Sequence, residues 1–319
     1  MRIAVMGTGG VGGYFGAKLA LAGNDVTFVA RGKHLEAIRR DGLRIESEST
    51  PMHVTSVRAT DDIASVGPVD AVMFCVKLWD IESAAQAIRP LLVNRGVAIP
   101  FQNGIDSPAV LARVLGAEHV IGGIAYIATS IASPGVVRHV GSMARLRVGA
   151  FDGVRSDAAE AFVEAATAAG VEIALAADIR RGLWEKFVFL SALSGATCLT
   201  RQPLGVVRAD PGMRGTFEAI MRETWSVARA HGVALAEDFV DKQLAFADTL
   251  PYEMRASMLH DLVAGNRLEA PWLCGAVVRL GTEAGVATPV NATVYAALLP
   301  YVNGAPEPPR AGSTPAGAR

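Results

Sequence analysis

Cysteine is scarce in this chain, and the three present, Cys75, Cys198 and Cys274, are scattered without a C-x-x-C pair. This spacing argues against a zinc site and against the disulfide framework of a small secreted protein. We therefore expect no metal ion and a reducing, cytoplasmic environment.

The chain also lacks an excess of charge of either sign. It has 30 basic and 31 acidic side chains, for a formal net charge of −1, which provides no bulk attraction to nucleic acid or to an anionic membrane. No apolar run is long enough to span a bilayer, and the first residues do not follow the pattern of a secretory signal. We expect neither a nucleic-acid partner nor a membrane partner, so any anion must be recognised by a local site.

The first 31 residues, in contrast, carry a strong pattern of strand, glycine turn, helix and strand. An apolar run over 1–6 is followed by Gly7, Gly9 and Gly12 at the G-x-G-x-x-G spacing, and a second apolar run occupies 26–29. In a dinucleotide-binding turn the first glycine permits the tight turn, the second lets the backbone approach a pyrophosphate, and the third lets helix and strand pack closely. The alternative is a glycine-rich loop without chemical significance.

The residue that follows the second apolar run bears on the choice of cofactor. NAD-binding proteins usually place an acidic residue there to accept a hydrogen bond from the ribose 2′-hydroxyl. Here the position is Arg31, with Lys33 just beyond, while Asp25 lies at the start of the run. A guanidinium suits a 2′-phosphate, so the sequence favours NADP(H), unless Arg31 and Lys33 are simply solvated loop charges.

Strand-like and helix-like segments alternate up to about residue 175, and helical spacing dominates afterwards. Alternation of this kind predicts a parallel, doubly wound sheet. We expect an α/β protein with an N-terminal Rossmann-like domain over 1–177, an all-helical C-terminal domain over 178–303 for substrate binding or dimerisation, and a disordered tail over 304–319. The turn and short strands over 133–140 suggest an antiparallel extension of the sheet.

Two strand ends in the N-terminal half carry polar residues. Lys77 follows the run 71–76, and Asn103 with Gly104 follows the run 97–101. Ligands bind beyond the carboxyl ends of the strands in such sheets, so Lys77 could approach the cofactor and the Asn103 amide could hold the nicotinamide or a substrate oxygen. The alternatives are a surface lysine and a simple Asn-Gly turn.

The helical half contains further candidates. Lys186 lies inside an apolar helical run and is either an edge residue with a solvated ammonium or, if partly desolvated, a proton donor. Glu269 precedes Pro271, a residue that suits a helix start, so its carboxylate would lie at a helix N-terminus, in a capping or a catalytic role.

The sequence resembles the ketopantoate reductase (2-dehydropantoate 2-reductase) family over nearly the whole chain up to the tail. The order and spacing of the matching motifs are specific only when the motifs are taken together. They are the glycine turn, Ala30-Arg31-Gly32 with His34-Leu35 and Ala37-Ile38, Val76-Lys77, Gln102-Asn103-Gly104, Pro134-Gly135-Val136-Val137-Arg138-His139, Trp184-x-Lys186, Ser257-Met258-Leu259 with Asp261, and Glu269.

The resemblance implies a reaction and a cofactor side of the site. The family reduces the ketone of a 2-keto acid with NADPH and without a metal. At the matching positions, Arg31 and Lys77 would serve the cofactor, and Asn103 would lie between nicotinamide and substrate.

On the substrate side, the resemblance implies that Lys186 is the proton donor, that Glu269 supports the active site and substrate, and that Ser257 contacts the substrate. The family usually has asparagines four and eight residues after the lysine, which hydrogen-bond the hydroxyl end of the substrate. This chain has Leu190 and Ser194 there. Ser194 is kept as a candidate substrate contact, in a recognition wall that is more apolar than usual.

The sequence therefore predicts an NADPH-dependent 2-keto acid reductase, with 2-dehydropantoate as the default substrate and Lys186 protonating the developing alkoxide. A second interpretation keeps the chemistry and changes the substrate to a more apolar 2-keto or 2-hydroxy acid. A third is a non-catalytic NADPH-binding regulator, which would need neither Lys186 nor Glu269. The oligomeric state is open, with a homodimer among the alternatives.

Overall fold

The computed structural model describes residues 1–93, 95–151, 153 and 156–306. They form two compact units, one over Met1–Phe187 and a second that begins at Val188. The expected tail over 304–319 lies outside the described residues from 307 onwards.

The strands among the described residues all belong to the first unit. They are β1 (Arg2–Met6), β2 (Asp25–Val29), β3 (Leu43–Glu46), β4 (Met52–Val54), β5 (Arg58–Thr60), β6 (Ala71–Phe74), β7 (Val97–Pro100), β8 (Gly122–Ser133), β9 (Val136–Gly149) and β10 (Glu172–Leu175).

Five of these strands form a parallel sheet in the order β5-β2-β1-β6-β7. Every residue of β6 and β7 is buried, as expected for a parallel sheet covered on both faces. The chain winds from β1 outward to β5 and then returns to the other side of β1, so the switch point lies between β1 and β6. This topology confirms the expected α/β fold and sets the carboxyl ends of β1 and β6 side by side.

The second sheet is mixed. Its strand order is β10-β9-β3-β4, with β8 paired to β9 as a long antiparallel hairpin. The antiparallel pairing expected near residues 133–140 is present, but the hairpin belongs to this second sheet and does not extend the parallel one. The two long strands pair with each other more extensively than with any other strand, and β9 joins them to β10 and β3.

The helices alternate with strands in the first unit and stand alone in the second. They are α1 (Gly10–Leu21), α2 (Gly32–Asp41), α3 (Ile81–Ile88), α4 (Ser107–Leu115), α5 (Asp157–Ala168), α6 (Ile179–Thr200), α7 (Leu204–Ala209), α8 (Pro211–Ala230), α9 (Phe239–Thr249), α10 (Ser257–Val263), α11 (Cys274–Ala284) and α12 (Pro289–Leu298). None of the described helices is both long enough and apolar enough to cross a membrane.

The second unit is built around α8, which packs against α7, α9, α11 and α12. Asp210 caps α8 by accepting a hydrogen bond from the Met213 amide at 2.8 Å, and Pro211 occupies the first helical position. Phe217, Ile220 and Met221 bury one stripe of the helix. This amphipathic pattern is what predicts a helical domain from the sequence.

Helix α6 is long enough to contribute to both units. Its first residues belong to the first unit, where Ile179 and Leu183 pack with Ile124 of β8. The division between the units therefore falls after Phe187, within a helix, whereas the sequence suggested a boundary before it, at 177/178. The expected domain limits of 1–177 and 178–303 stay predictions.

Candidate active site

The glycine turn lies at the switch point of the parallel sheet. Gly7 has φ +98°, and a Cβ there would lie 2.8 Å from the carbonyl carbon of Cys75, which follows β6. A Cβ on Gly12 would lie 2.4 Å from the Gly7 oxygen. Only glycine suits either position, because the first needs a left-handed backbone and both lack room for a side chain.

Gly9 differs from these two glycines. A Cβ built on it meets no atom within 4 Å, so the protein itself does not require glycine there. Gly9 caps α1, which has no acidic residue in its first turn. The turn therefore presents bare backbone at a helix N-terminus that attracts anions, which fits the pyrophosphate of a dinucleotide.

A cavity of about 410 Å³ adjoins this turn, and its walls include Gly7, Gly9, Arg31, His34, Asp61 and Asp80. It lies at the carboxyl ends of β1, β2 and β6, where a doubly wound sheet binds its ligand. The open space next to Gly9 and the cationic Arg31 on the wall both suit a phosphorylated nucleotide.

Arg31 has a partner that the sequence did not suggest. Its guanidinium donates a hydrogen bond to the Asp80 carboxylate at 2.9 Å, while the Arg31 side chain remains 78 % exposed. Asp80 immediately precedes α3 and also lines the cavity. The cationic site expected for a 2′-phosphate is therefore an ion pair in this structure, and a second carboxylate, Asp61, lines the same cavity.

His34 ties the glycine turn to the hairpin. Its Nδ1 accepts a hydrogen bond from the Gly135 amide at 3.0 Å, so the proton resides on Nε2, which donates to the Thr8 carbonyl at 2.7 Å. Burial lowers the pKa of His34 from its usual 6.5, and the bond to Thr8 opposes this shift only in part. The imidazole is accordingly neutral, and it braces the backbone of the turn.

Lys186 and Asn103 meet, as required of residues that share one site. The Lys186 ammonium donates to the Asn103 side-chain oxygen at 3.0 Å and to the Ala125 carbonyl at 2.8 Å. Asn103 follows β7, and Ala125 lies in β8. The lysine is half-buried and is not an edge residue with a solvated ammonium.

Other predicted residues of the first unit lie apart from these contacts. Lys77 is exposed, with its Nζ 5.6 Å from the centre of the Trp79 ring, and it is not among the residues that line the cavity. Gln102, next to Asn103, belongs to the matching motif Gln102-Asn103-Gly104 but has no predicted role. Over the described residues both of its amide atoms are buried without a hydrogen-bond partner.

The predicted residues of the second unit differ in burial. Glu269 is 7 % exposed and precedes a short 3-10 helix over Ala270–Trp272, with α11 beginning only at Cys274. The helix expected to start near Pro271 is thus only a single short 3-10 turn. Ser257 is exposed at the start of α10, Leu190 is half-buried, and Ser194 is 1 % exposed with no partner for its hydroxyl among the described residues.

The cysteines do not suit nucleophilic catalysis. Burial raises the pKa of Cys198 and of Cys274 to about 12, and it raises the pKa of Cys75 as well. These thiols are protonated at neutral pH and thus weakly reactive. Among the described residues, no three His, Cys, Asp or Glu side chains cluster where a metal ion could be held.

A parallel sheet with a glycine turn and a cavity at its switch point defines a dinucleotide-binding protein of the α/β class. Comparison with known proteins is more specific. Residues 3–153 match the model of the family "Ketopantoate reductase PanE/ApbA", and residues 178–301 match that of its C-terminal domain. The chain belongs to the ketopantoate reductase family.

Individual relatives agree with this assignment. The 2-dehydropantoate 2-reductase of Halobacterium salinarum is 34 % identical over 92 % of this chain and 96 % of its own. A PanE/ApbA family ketopantoate reductase from Ralstonia eutropha superposes with a TM-score of 0.87, at 33 % identity over 95 % of this chain and 98 % of its own. The D-mandelate dehydrogenase in complex with NADH and anilino(oxo)acetate shares the fold, with a TM-score of 0.85 at 20 % identity over 95 % and 98 % of the two chains.

Family membership makes the chain an NADP(H)-dependent oxidoreductase and confirms the resemblance inferred from the motifs. It does not favour the alternative of a non-catalytic regulator. The fold alone does not identify the substrate, since a mandelate dehydrogenase has the same fold.

Proposed function

We propose that this oxidoreductase reduces the ketone of a 2-keto acid to a 2-hydroxy acid with NADPH, and that 2-dehydropantoate, yielding pantoate, is its default substrate. The observation that carries the proposal is the placement of Lys186 by Asn103 and the Ala125 carbonyl. Both partners accept hydrogen bonds, which suits an ammonium, since this form of lysine has three N–H donors and no acceptor. Bound NADPH would supply the hydride for the ketone carbon.

The chain itself would handle the proton. The Lys186 ammonium would donate a hydrogen bond to the ketone oxygen and transfer its proton as the C–O double bond becomes an alkoxide. The neutral amine left behind would regain a proton from water. Asn103 would hold the lysine in place through its side-chain oxygen.

Three of the proposed cofactor residues, Gly7, Gly9 and Arg31, line the cavity of the first unit. Gly7 and Gly12 would shape the turn, and Gly9 would let the backbone contact the pyrophosphate. Arg31 would bind the 2′-phosphate. Lys77, which follows β6, is kept as a cofactor contact on the strength of the family resemblance.

The proposed substrate residues of the second unit also rest on the resemblance. Glu269 would support the active site, and Ser257 and Ser194 would contact the substrate. A homodimer and the absence of a nucleic-acid partner stay predictions.

A panel of 2-keto acids assayed by NADPH oxidation tests the proposal. The wild-type chain should oxidise NADPH only when a 2-keto acid is present. Absence of turnover with every acid of the panel, in a chain that still binds NADPH, would overturn it.

One observation favours a second candidate substrate class. The two positions where the family usually has asparagines hold Leu190 and Ser194, and Ser194 is buried. A site without these amides loses hydrogen bonds to a substrate hydroxyl. The second candidate is therefore a 2-keto acid with an apolar side chain, and the same panel ranks it against 2-dehydropantoate.

A further inference from the structure

Three cationic side chains lie around one tyrosine ring on the β8–β9 hairpin. Tyr126 stands directly opposite Arg145 in the strand register, and Arg147 lies two residues further along the same face. From the centre of the Tyr126 ring, the Arg145 Cζ is 4.8 Å away, the Lys186 Nζ 5.9 Å and the Arg147 Cζ 6.0 Å. The proposed proton donor thus shares an aromatic ring with two guanidinium groups.

Among the described residues, no carboxylate pairs with these guanidinium groups, although Glu172 stands beside Arg145 in the register of β10 and β9. Over the described residues, neither Arg145 nor Arg147 forms an ion pair, and the Arg145 Nε is buried without an acceptor. The nearby carboxylate of Glu185 is engaged by Arg181 at 2.8 Å. A buried donor without an acceptor is unfavourable, and a bound anion would satisfy it.

The strand pattern places these arginines apart from the core. Leu146 and Val148, which alternate with them in β9, are 2 % and 0 % exposed and belong to the core of the first unit. The opposite face of the hairpin faces the start of α6, where Ile124 packs with Ile179. This is the face that carries Tyr126 and both guanidinium groups.

We propose that Arg145, assisted by Arg147, binds the carboxylate of the 2-keto acid. The proposal rests on the proposed function, in which Lys186 donates to the ketone oxygen of the same molecule. The carboxylate of a 2-keto acid is bonded directly to the ketone carbon, so the group that binds it must lie close to Lys186. The Arg145 Cζ and the Lys186 Nζ lie 4.8 Å and 5.9 Å from the centre of the same Tyr126 ring, so both groups are next to one side chain.

The chemistry of the arginine suits this role. A guanidinium binds a carboxylate through two parallel N–H···O bonds, and stacking on an aromatic ring orients its plane. The competing interpretation is that both arginines only pack on Tyr126 and stabilise the hairpin. The two interpretations differ in whether a neutral analogue of the substrate is bound equally well.

Calorimetric binding to the protein saturated with NADP⁺, which cannot reduce the ligand, separates them. The probe is 2-keto-3,3-dimethylbutyrate, and its methyl ester is the matched neutral ligand. The variants are Arg145→Met, Arg145→Lys and Arg147→Met, with Arg138→Met as the control. Arg138 lies in the same strand but is exposed and paired with Glu46.

Loss of a charged hydrogen-bonded contact should weaken binding of the acid roughly 10- to 100-fold in Arg145→Met. Arg145→Lys should show a smaller loss and Arg147→Met a loss of a few-fold. Affinity for the ester and for NADP⁺ should not change, and the control should behave as wild type. If Arg145→Met loses NADP⁺ binding, Arg145→Lys carries the test.

Unchanged acid binding in the Arg145 variants, or an equal loss for acid and ester, would overturn the carboxylate site. An NADPH oxidation assay separates this outcome from the proposed function. Turnover of 2-keto acids with a KM independent of Arg145 would leave the function standing and remove the inference. Arg145-dependent binding of the acid without turnover of any 2-keto acid would support the carboxylate site and overturn the proposed function.

Discussion

Lys186 is the residue on which the proposed chemistry depends most directly. It lies in α6 but is held by Asn103 after β7 and by the carbonyl of Ala125 in β8. Lys186→Ala should lower kcat by about 10²- to 10⁴-fold, the usual contribution of a positioned general acid. NADPH binding, followed by fluorescence titration, should persist.

A matched control for this change is Lys242→Ala, which removes an exposed lysine paired with Asp238 one helical turn away. It should leave kcat unchanged. Substantial turnover in Lys186→Ala would reduce that lysine to a structural contact. Glu269→Gln should also impair turnover if the buried carboxylate supports the site.

Arg31 and Asp80 form an ion pair, and substituting each residue in turn distinguishes their roles in cofactor binding. Arg31→Ala should weaken NADPH binding roughly 10- to 100-fold, because one charged hydrogen-bonded contact contributes about 1.5–3 kcal/mol. Asp80→Asn should instead tighten NADPH binding by a few-fold, because it removes a carboxylate that competes for the guanidinium and repels a 2′-phosphate. The measurement is the Kd of each cofactor by fluorescence titration.

NADH, which lacks the 2′-phosphate, is the matched control ligand for both variants. Its Kd should change little in Arg31→Ala. Equal losses for the two cofactors would show that Arg31 does not read the phosphate. Weaker NADPH binding in Asp80→Asn would show that Asp80 positions Arg31 and does not compete with the ligand.

At the scale of elements, the glycine turn combines two different requirements for glycine. Gly12→Ala places a Cβ 2.4 Å from the Gly7 oxygen and should destabilise the fold by about 1–3 kcal/mol through overpacking. Gly9→Ala meets no protein atom, so its free energy of unfolding should stay within about 1 kcal/mol of wild type. It should nevertheless lose most of its affinity for NADPH, since the added methyl group would occupy the space for the pyrophosphate.

Urea unfolding and NADPH titration of both variants check this contrast. Normal NADPH affinity in Gly9→Ala would contradict the placement of the pyrophosphate. A stable Gly12→Ala would show that α1 can move away from β1 without loss.

The link that His34 makes between the glycine turn and the hairpin depends on pH. Because burial lowers the pKa of His34 below 6.5, the unfolded chain binds more protons than the folded chain below that pH. The stabilisation from the neutral ring is therefore present above about pH 6.5 and lost as the pH falls further.

The pH dependence of the urea midpoint in wild type and His34→Gln measures this effect. Between about pH 7.5 and 5.5, wild type should lose more stability than the variant, because all other titrating groups are common to both chains. Parallel pH profiles would show that His34 does not contribute.

At the scale of the whole molecule, the sequence predicted what local patterns determine. The G-x-G-x-x-G spacing and the alternation of strands and helices were enough for the α/β fold. Contacts between distant segments of the chain could not be predicted from these local patterns. The pairing of Arg31 with Asp80 and the cluster of Arg145 with Tyr126 depend on how strands are ordered and registered, which residue spacing does not encode. The second sheet was missed for the same reason.

The preference for one 2-keto acid over another is a property of the whole molecule. The family resemblance implies that Leu190 and Ser194 stand where relatives have amides around the substrate, and an apolar wall would not compensate for the desolvation of a substrate hydroxyl. We expect the ratio of kcat/KM for 2-dehydropantoate over 2-keto-3,3-dimethylbutyrate, its deoxy analogue, to be small in wild type. Leu190→Asn with Ser194→Asn should raise that ratio. Because Ser194 is buried and asparagine is larger, the single variant Leu190→Asn carries the test if the double variant does not fold. A wild-type enzyme that already prefers 2-dehydropantoate by several orders of magnitude would show that other residues recognise the hydroxyl.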